Sequence, residues 1–241
     1  MTFAKTINMA LSRLGLNLIR TSPLDHTQKL VLKLQETGLD IRTVYDIGAY
    51  KGEYTKSLRK VIPGAVFFLF EANEIHAAEL NKTNSRFFLE VLSSESSSRE
   101  WWSVTGTGDS LFREAQDVYS DIRPQIRITK TLDSIIQEEH LPLPDLIKID
   151  VQGAEIEVLR GGCLALENAS VITLEMPILE YNLGAPKIGE YLEFMKDSGF
   201  IPVEILEVHK ASEALTQIDV AFLKRDFLKS HYDISGRNFL E

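Results

Sequence analysis

Four acidic side chains stand at the ends of four apolar segments, each long enough to form a β-strand. They are Asp46, Glu71, Asp150 and Glu175. If these strands are parallel neighbours in one sheet, their carboxyl ends meet at the edge where ligands of such sheets bind. Carboxylates at that edge could accept a proton, hold a cation or accept hydrogen bonds from a ligand. We therefore predict one shared ligand site rather than scattered surface charge.

The third of these acids lies in the most informative segment, LIKIDVQGAE, which runs from Leu146 to Glu155. Lys148 and Asp150 share one face of the predicted strand, because side chains two residues apart project to the same side. A buried ion pair carries a desolvation penalty, so this pair either only shapes the core or serves a site. We expect Lys148 to keep Asp150 ionised, with a directly catalytic lysine as the alternative. Glu155 either joins the site or caps the following helix.

A second strand–turn–helix pattern lies upstream, where Asp46 precedes Gly48 and Gly52 in the spacing D-x-G-x-x-x-G. Gly48 allows a sharp turn and a close approach of a ligand, and Gly52 lets the next helix pack near the strand. The spacing differs from the dinucleotide pattern G-x-G-x-x-G, and an acid before the glycines suits a cationic amino group. Glu71 follows the first glycine by about 20 to 25 residues, which suits hydrogen bonds to ribose hydroxyls. Its alternative is a solvated acid at a helix start. The two acids together indicate S-adenosylmethionine and not NAD.

Three segments, DIGAYKG, FEAN and KIDVQGAE, resemble the signature blocks of the FkbM-type methyltransferases. The resemblance covers about residues 44 to 175 and implies S-adenosylmethionine-dependent methylation of hydroxyl groups, mostly on sugars and natural products. By the same resemblance, the methionine-side loop contains Asp46, Gly48 and Gly52, the ribose acid is Glu71, and the residues near the adenine are Leu92 and Ser93. The expected cofactor-binding set is completed by Ala49, Ala72 and Asp150. The family usually has asparagine where this chain has Tyr50.

Strand and helix patterns alternate along the chain, which predicts a largely parallel sheet with helices on both faces. The resemblance implies a Rossmann-like class I methyltransferase fold with an antiparallel C-terminal strand. We predict one domain over residues 1–241, with residues 1–40 as a helical extension that includes an amphipathic helix (Phe3, Ile7, Leu11, Leu14 and Leu18). The third strand is predicted over 86–92 and the strand before Glu175 over 171–174. The irregular insertion at 106–124 is expected to cover the site and to influence acceptor choice.

The composition limits which classes of binding partner and which cellular compartment we expect. A net charge of −9 argues against a general nucleic-acid surface. No apolar stretch reaches the roughly 18 to 20 residues that span a membrane. A single cysteine, Cys163, cannot form an internal disulfide, so a cytoplasmic location is the default. We expect a small-molecule or glycan acceptor, and a homo-oligomer is compatible with the sequence.

Two mechanisms fit the predicted acids. Asp150 or Glu175 could accept the proton of an acceptor hydroxyl directly. Alternatively, both could hold a divalent cation such as magnesium, which needs only one or two carboxylates. The five histidines show no ligand spacing in the sequence, so zinc is not expected. A nicotinamide-dependent sugar oxidoreductase and a catalytically inactive cofactor-binding module are the rival functions.

Overall fold

The computed structural model describes residues 24–103, 108–114, 122–180 and 182–231. The strands are β1 (Thr43–Ile47), β2 (Val66–Glu71), β3 (Arg86–Leu89), β4 (Val91–Leu92), β5 (Ser98–Trp101), β6 (Gln125–Lys130), β7 (Leu146–Ile149), β8 (Val171–Pro177), β9 (Phe200–Ala211) and β10 (Ala214–Lys224). The α-helices are α1 (His26–Glu36), α2 (Glu53–Leu58), α3 (Ala77–Asn81), α4 (Leu132–Glu138), α5 (Glu155–Arg160), α6 (Cys163–Asn168), α7 (Ile188–Asp197) and α8 (Arg225–His231).

Seven strands form the central sheet in the order β3-β2-β1-β7-β8-β10-β9. The first five run parallel, and β10 is antiparallel to both of its neighbours, β8 and β9. The strand order reverses between β1 and β7, and this is the place where open α/β sheets bind ligands. The predicted fold is confirmed: a Rossmann-like, mostly parallel sheet with an antiparallel C-terminal strand.

Apolar residues on both faces of the sheet explain its two helical layers. Val44 of β1 belongs to a buried cluster with Leu34 of α1 and Leu58 of α2. The next residue, Tyr45, projects to the opposite face, where its cluster includes Tyr191 of α7. Strands buried on both faces are typical of parallel sheets with helices on each side. The face that carries α1 and α2 is also the face on which Asp46 lies, two residues after Val44.

Two predicted strand boundaries are wrong. The predicted strand 86–92 divides at Glu90, so that β3 pairs with β2 while β4 pairs with β6 in a separate three-stranded sheet, β4-β6-β5. The strand predicted to end at Leu174 continues to Pro177, because β10 pairs with it along its whole length. Glu175 therefore lies inside a strand, opposite Asp219.

Some predictions concern residues outside the described ranges. The amphipathic helix predicted between Phe3 and Leu18 lies there, and so does part of the 106–124 insertion. Within the described ranges, no helix combines the length and the apolar character that crossing a membrane requires.

Candidate functional site

A cavity of about 310 Å³ opens at the carboxyl ends of β1, β2 and β7, where the strand order reverses. Six of the nine predicted cofactor-binding residues line it: Gly48, Ala49, Glu71, Ala72, Leu92 and Asp150. The other three lie outside its wall. Asp46 is buried beneath the glycine turn, and Gly52 packs against Thr83. Ser93 donates a hydrogen bond to Glu157 across 2.6 Å, which turns its hydroxyl to α5.

The glycine turn after β1 is shaped by the strand beside it. Gly48 has φ +71°, and a Cβ there would lie 1.7 Å from the carbonyl oxygen of Asp150. The backbone at Asp150, just after β7, therefore requires glycine at position 48 whether or not a ligand is bound. Tyr50 also has a positive φ, +50°, a conformation in which asparagine is enriched among non-glycine residues. Its ring packs edge-on against His76, with the ring centroids 4.4 Å apart.

The Glu71 carboxylate ties this turn to the end of β2. Its Oε2 accepts the backbone N–H of Tyr50 at 2.7 Å, and its Oε1 accepts that of Asn73 at 2.8 Å. Burial raises the pKa of Glu71, while the two backbone N–H groups act to lower it. With 7% of its surface exposed, Glu71 is not a solvated acid at a helix start. Each oxygen retains a lone pair that a ribose hydroxyl could use.

Asp46 and Lys148 form a buried ion pair beneath the cavity. Lys148 Nζ lies 3.7 Å from Asp46 Oδ1 and 3.4 Å from Asp150 Oδ2, and it donates to the carbonyl oxygen of Gly48 at 2.8 Å. Burial opposes the charge of Lys148, but Asp150 and Asp46 outweigh that effect and raise its pKa. Burial raises the pKa of Asp46, while Lys148 and a 2.6 Å hydrogen bond from Thr55 oppose the shift. Lys148 is thus placed to hold both carboxylates.

The predicted convergence of Asp150 and Glu175 occurs through the amide of Gln152. Gln152 Nε2 donates to Asp150 Oδ1 at 3.0 Å and to Glu175 Oε2 at 2.6 Å. Gln152 itself has φ +56°, a sparsely populated conformation for a residue with a side chain. Burial, followed by the charges of Asp150 and Asp219, raises the pKa of Glu175 to about 10. Glu175 is therefore a neutral acid near pH 7.

Glu155 has a structural role in the turn after β7. Its carboxylate accepts the backbone N–H groups of Val151 and Gly153, and it also accepts the hydroxyl of Tyr191 at 2.5 Å. It is 1% exposed. These bonds fix the direction in which the chain leaves β7, just after Asp150.

A second cavity, of about 290 Å³, lies on the face of the sheet that carries α1 and α2. It adjoins the first cavity, because five residues line both: Glu53, Tyr54, Lys148, Asp150 and Asp219. Glu175 lines only the second cavity. The two predicted catalytic acids thus border this cavity together.

Sequence reasoning missed several residues of these walls. Gln152 stands within the KIDVQGAE block but received no role, and Tyr54 looked like an ordinary helix residue. Asp219 carries no local signal, since only the antiparallel register of β10 brings it opposite Glu175. Of the two tryptophans, Trp101 lines the first cavity and is 4% exposed.

The described part of the insertion borders the first cavity. Asp109, Ser110 and Leu111 line it. Asn73 Nδ2 donates to Asp109 Oδ2 at 2.6 Å, which links the insertion to the end of β2. Ser110 Oγ donates to the carbonyl oxygen of Gln152 at 2.6 Å, so the described part of the insertion also contacts the turn after β7. Its influence on acceptor choice stays a prediction.

Two groups of side chains within the described ranges have the spacing to bind a cation. One consists of Glu71, His76 and Asp109, and the other of Glu175, His209 and Asp219, with ligand atoms within 4.8 Å of one another in each group. The predicted magnesium pair differs from both, because the amide of Gln152 donates to Asp150 and Glu175.

One family profile and several solved structures are similar to this chain. The profile described as the Methyltransferase FkbM domain matches residues 46–202. Similar solved structures include magnesium protoporphyrin IX methyltransferase from Synechocystis with bound SAM (11% identity, TM-score 0.46, 93% of this chain and 98% of that chain). Another is an O-methyltransferase from Bacillus cereus in complex with SAH (16% identity, TM-score 0.45, 92% of this chain and 90% of that chain). No curated protein matches the sequence significantly.

Proposed function

Since the chain belongs to the FkbM methyltransferase family, we propose that it transfers a methyl group from S-adenosylmethionine to a hydroxyl group of a sugar or another small-molecule acceptor. The observation that carries this proposal is the first cavity, in which six residues expected to bind the cofactor line one wall at the switch point of the sheet. Family membership decides against the nicotinamide-dependent oxidoreductase.

The residues of the first cavity fit this cofactor. Glu71 offers two carboxylate oxygens at the end of β2, suited to a pair of ribose hydroxyls. Ala49 and Ala72 leave room beside the turn, and Leu92 supplies an apolar wall for an adenine ring. When bound, the cofactor supplies a methyl group attached to a cationic sulfur.

Asp150 is the residue we propose to accept the proton of the acceptor hydroxyl. It lines both cavities, so a group in either one can reach it. Lys148 lies 3.4 Å from its Oδ2 and holds this carboxylate in place. Glu175 acts differently: as a neutral acid it positions the amide of Gln152, which in turn orients Asp150.

Cofactor binding can be tested without knowing the acceptor. Isothermal titration should show binding of S-adenosylmethionine and S-adenosylhomocysteine and no binding of NAD. Glu71→Gln should weaken S-adenosylhomocysteine binding by about 1.5–3 kcal/mol, because one charge-assisted hydrogen bond to the ribose is lost. Glu74→Gln is the matched control, since Glu74 follows the same strand, is exposed and lies outside the cavity. Unchanged affinity in a folded Glu71→Gln protein would remove this acid from the site.

Methyl transfer is tested with labelled S-adenosylmethionine and a panel of hydroxylated acceptors. With an acceptor that supports turnover, Asp150→Asn should lower kcat by about 10² or more, the usual contribution of a general base. If cofactor binds but no acceptor is methylated, the protein is the inactive cofactor-binding module.

A further inference from the structure

We propose that the second cavity is the acceptor site and that it selects an acceptor carrying a protonated amino group, such as an amino sugar. This inference rests on the proposed function and adds to it the location and the charge class of the acceptor. Three independent features of the described residues support it: the shared wall of the two cavities, a row of acidic side chains across three strands, and a pair of buried hydroxyls that have no partner other than each other.

The shared wall places the second cavity where an acceptor must be. Methyl transfer requires the acceptor oxygen and the methyl donor to approach within a few ångströms along one line. Asp150 stands between the cavities, and Tyr54 and Lys148 stand beside it. An acceptor in the second cavity would therefore reach both the proposed base and the methyl group.

The carboxylate row gives this cavity its charge. Glu207 of β9 lies opposite Asp219 of β10, and Asp219 lies opposite Glu175 of β8. Glu175 is neutral near pH 7, so the like charges that face each other are those of Asp219 and Glu207, and such a pair on neighbouring strands destabilises a sheet. Burial, the charge of Asp150 and the charge of Glu207 raise the pKa of Asp219 to about 6, and His209, 3.3 Å away, opposes the shift. A cationic group in the cavity would relieve this repulsion.

The rest of the wall adds to the negative charge. Two lining residues are basic, Lys148 and His26, and six are acidic: Asp25, Glu53, Asp150, Glu175, Glu207 and Asp219. Even with Glu175 neutral, the acids outnumber the bases. Lys148 is already engaged by Asp46 and Asp150. The cavity is therefore suited to a cation and unsuited to phosphorylated or carboxylated acceptors.

A buried hydroxyl indicates that a polar ligand enters. Thr173 lines the cavity and is 4% exposed, yet its Oγ1 has no hydrogen-bond partner among the described residues. The hydroxyl of Tyr54 is also buried, and it lies close enough to Thr173 for that hydroxyl to act on the pKa of Tyr54. A hydrogen bond between these two hydroxyls would leave one O–H donor without an acceptor, and buried polar groups normally have partners, so the pair favours a hydroxylated ligand in this cavity.

Three sugars that differ in one charged group provide the test. Glucosamine, glucose and glucuronate are titrated into the protein near neutral pH in the presence of a chelator, both with and without S-adenosylhomocysteine. We expect glucosamine to bind about tenfold or more tightly than glucose, because its ammonium group forms charge-assisted hydrogen bonds, and we expect glucuronate to bind most weakly. Equal binding of glucosamine and glucose would overturn the inference.

Variants test whether the row of Glu175, Asp219 and Glu207 causes the preference for glucosamine over glucose. Glu207→Gln, at an exposed position that tolerates the change, should reduce the preference for glucosamine, and Asp219→Asn should abolish it. Glu213→Gln, in the turn of the same hairpin and outside the cavity, should leave it unchanged. Retention of the full preference in both cavity variants would overturn the assignment to this row.

Two other results, metal binding at the row and failure of the cofactor product to bind, can be told apart from a failure of the amine preference. Manganese or zinc titrated without sugar and without chelator should not bind at the row. Tight metal binding that is lost in Asp219→Asn and His209→Ala would show a metal site and overturn the amine assignment. Failure of S-adenosylhomocysteine to bind would contradict the proposed function, whereas the sugar preference is measured separately in the unliganded protein.

Discussion

Replacing Glu175 with glutamine should stabilise the protein near neutral pH and remove part of its pH dependence. In the folded chain, burial and the charges of Asp150 and Asp219 raise the pKa of Glu175 to about 10, from an ordinary value of 4.5. A group with a raised pKa in the folded state contributes its full stability below the unfolded-state pKa. That contribution is lost as the pH rises towards the folded-state pKa, because the unfolded chain releases a proton that the folded chain retains.

The magnitude follows from the difference between the two states. At pH 7 the solution is about 2.5 pH units above the unfolded-state pKa of Glu175, which corresponds to about 3 kcal/mol of lost stability. Glutamine keeps the size and the neutral form of the side chain. Its carbonyl can accept from Gln152 Nε2, and its amide N–H can donate to Asp150, whose hydrogen bond with Glu175 is a further cause of the raised pKa. Glu175→Gln should therefore gain up to about 3 kcal/mol at pH 7 and about nothing at pH 4.

Urea unfolding between pH 4 and pH 9, followed by circular dichroism, measures this difference. Glu213→Gln, an exposed position on the β9–β10 hairpin, is the control and should follow the wild type at every pH. Parallel stability curves for Glu175→Gln and the wild type would refute the reasoning, because they would show that Glu175 titrates normally in the folded chain. In turnover, Glu175→Gln should remain within about threefold of the wild type, in contrast to Asp150→Asn.

Two other substitutions test the geometry beneath the first cavity. Lys148→Met should lower the free energy of unfolding by about 3–5 kcal/mol, because it leaves the buried carboxylate of Asp46 without its cation. The double variant Lys148→Met/Asp46→Asn should recover part of this loss in urea titrations, and a further loss would contradict the pairing. Gly48→Ala should destabilise the fold by about 2 kcal/mol or more and abolish S-adenosylhomocysteine binding, since its Cβ would overlap the Asp150 carbonyl. Gly64→Ala, with open space around the Cβ, is the control and should unfold like the wild type.

Much of the first cavity was predictable from the sequence, because its information is local. The apolar segments before Asp46, Glu71 and Asp150 are long enough for strands and are followed at once by turns. In a parallel sheet the ends of such strands meet at one edge whatever the details of packing. Strand-end residues such as Ala49 and Ala72 therefore reach the cavity together.

The sequence was less informative where pairing partners lie far apart in the chain. The predicted third strand divides because Val91 and Leu92 pair with β6. No local sequence pattern indicates that these two residues join a different sheet. Gly48 was expected to admit a ligand, but the contact that requires glycine is with Asp150, more than a hundred residues away. Ser93 ends a predicted strand, yet its hydroxyl bonds to Glu157 on α5.

The sequence identified which acidic residues form the site, whereas the tertiary structure determined their protonation states. The sequence predicted that Asp150 and Glu175 would lie close together, although Glu175 lies inside β8 and not at its end. Only the register of β10 and β9 placed Asp219 and Glu207 beside them, and only burial together with the charges of Asp150 and Asp219 made Glu175 a neutral acid. A pKa depends on solvent exclusion and on charges within a few ångströms. Those quantities are fixed when distant strands pair, so the sequence determined which groups form the site and the folded chain determined their charge.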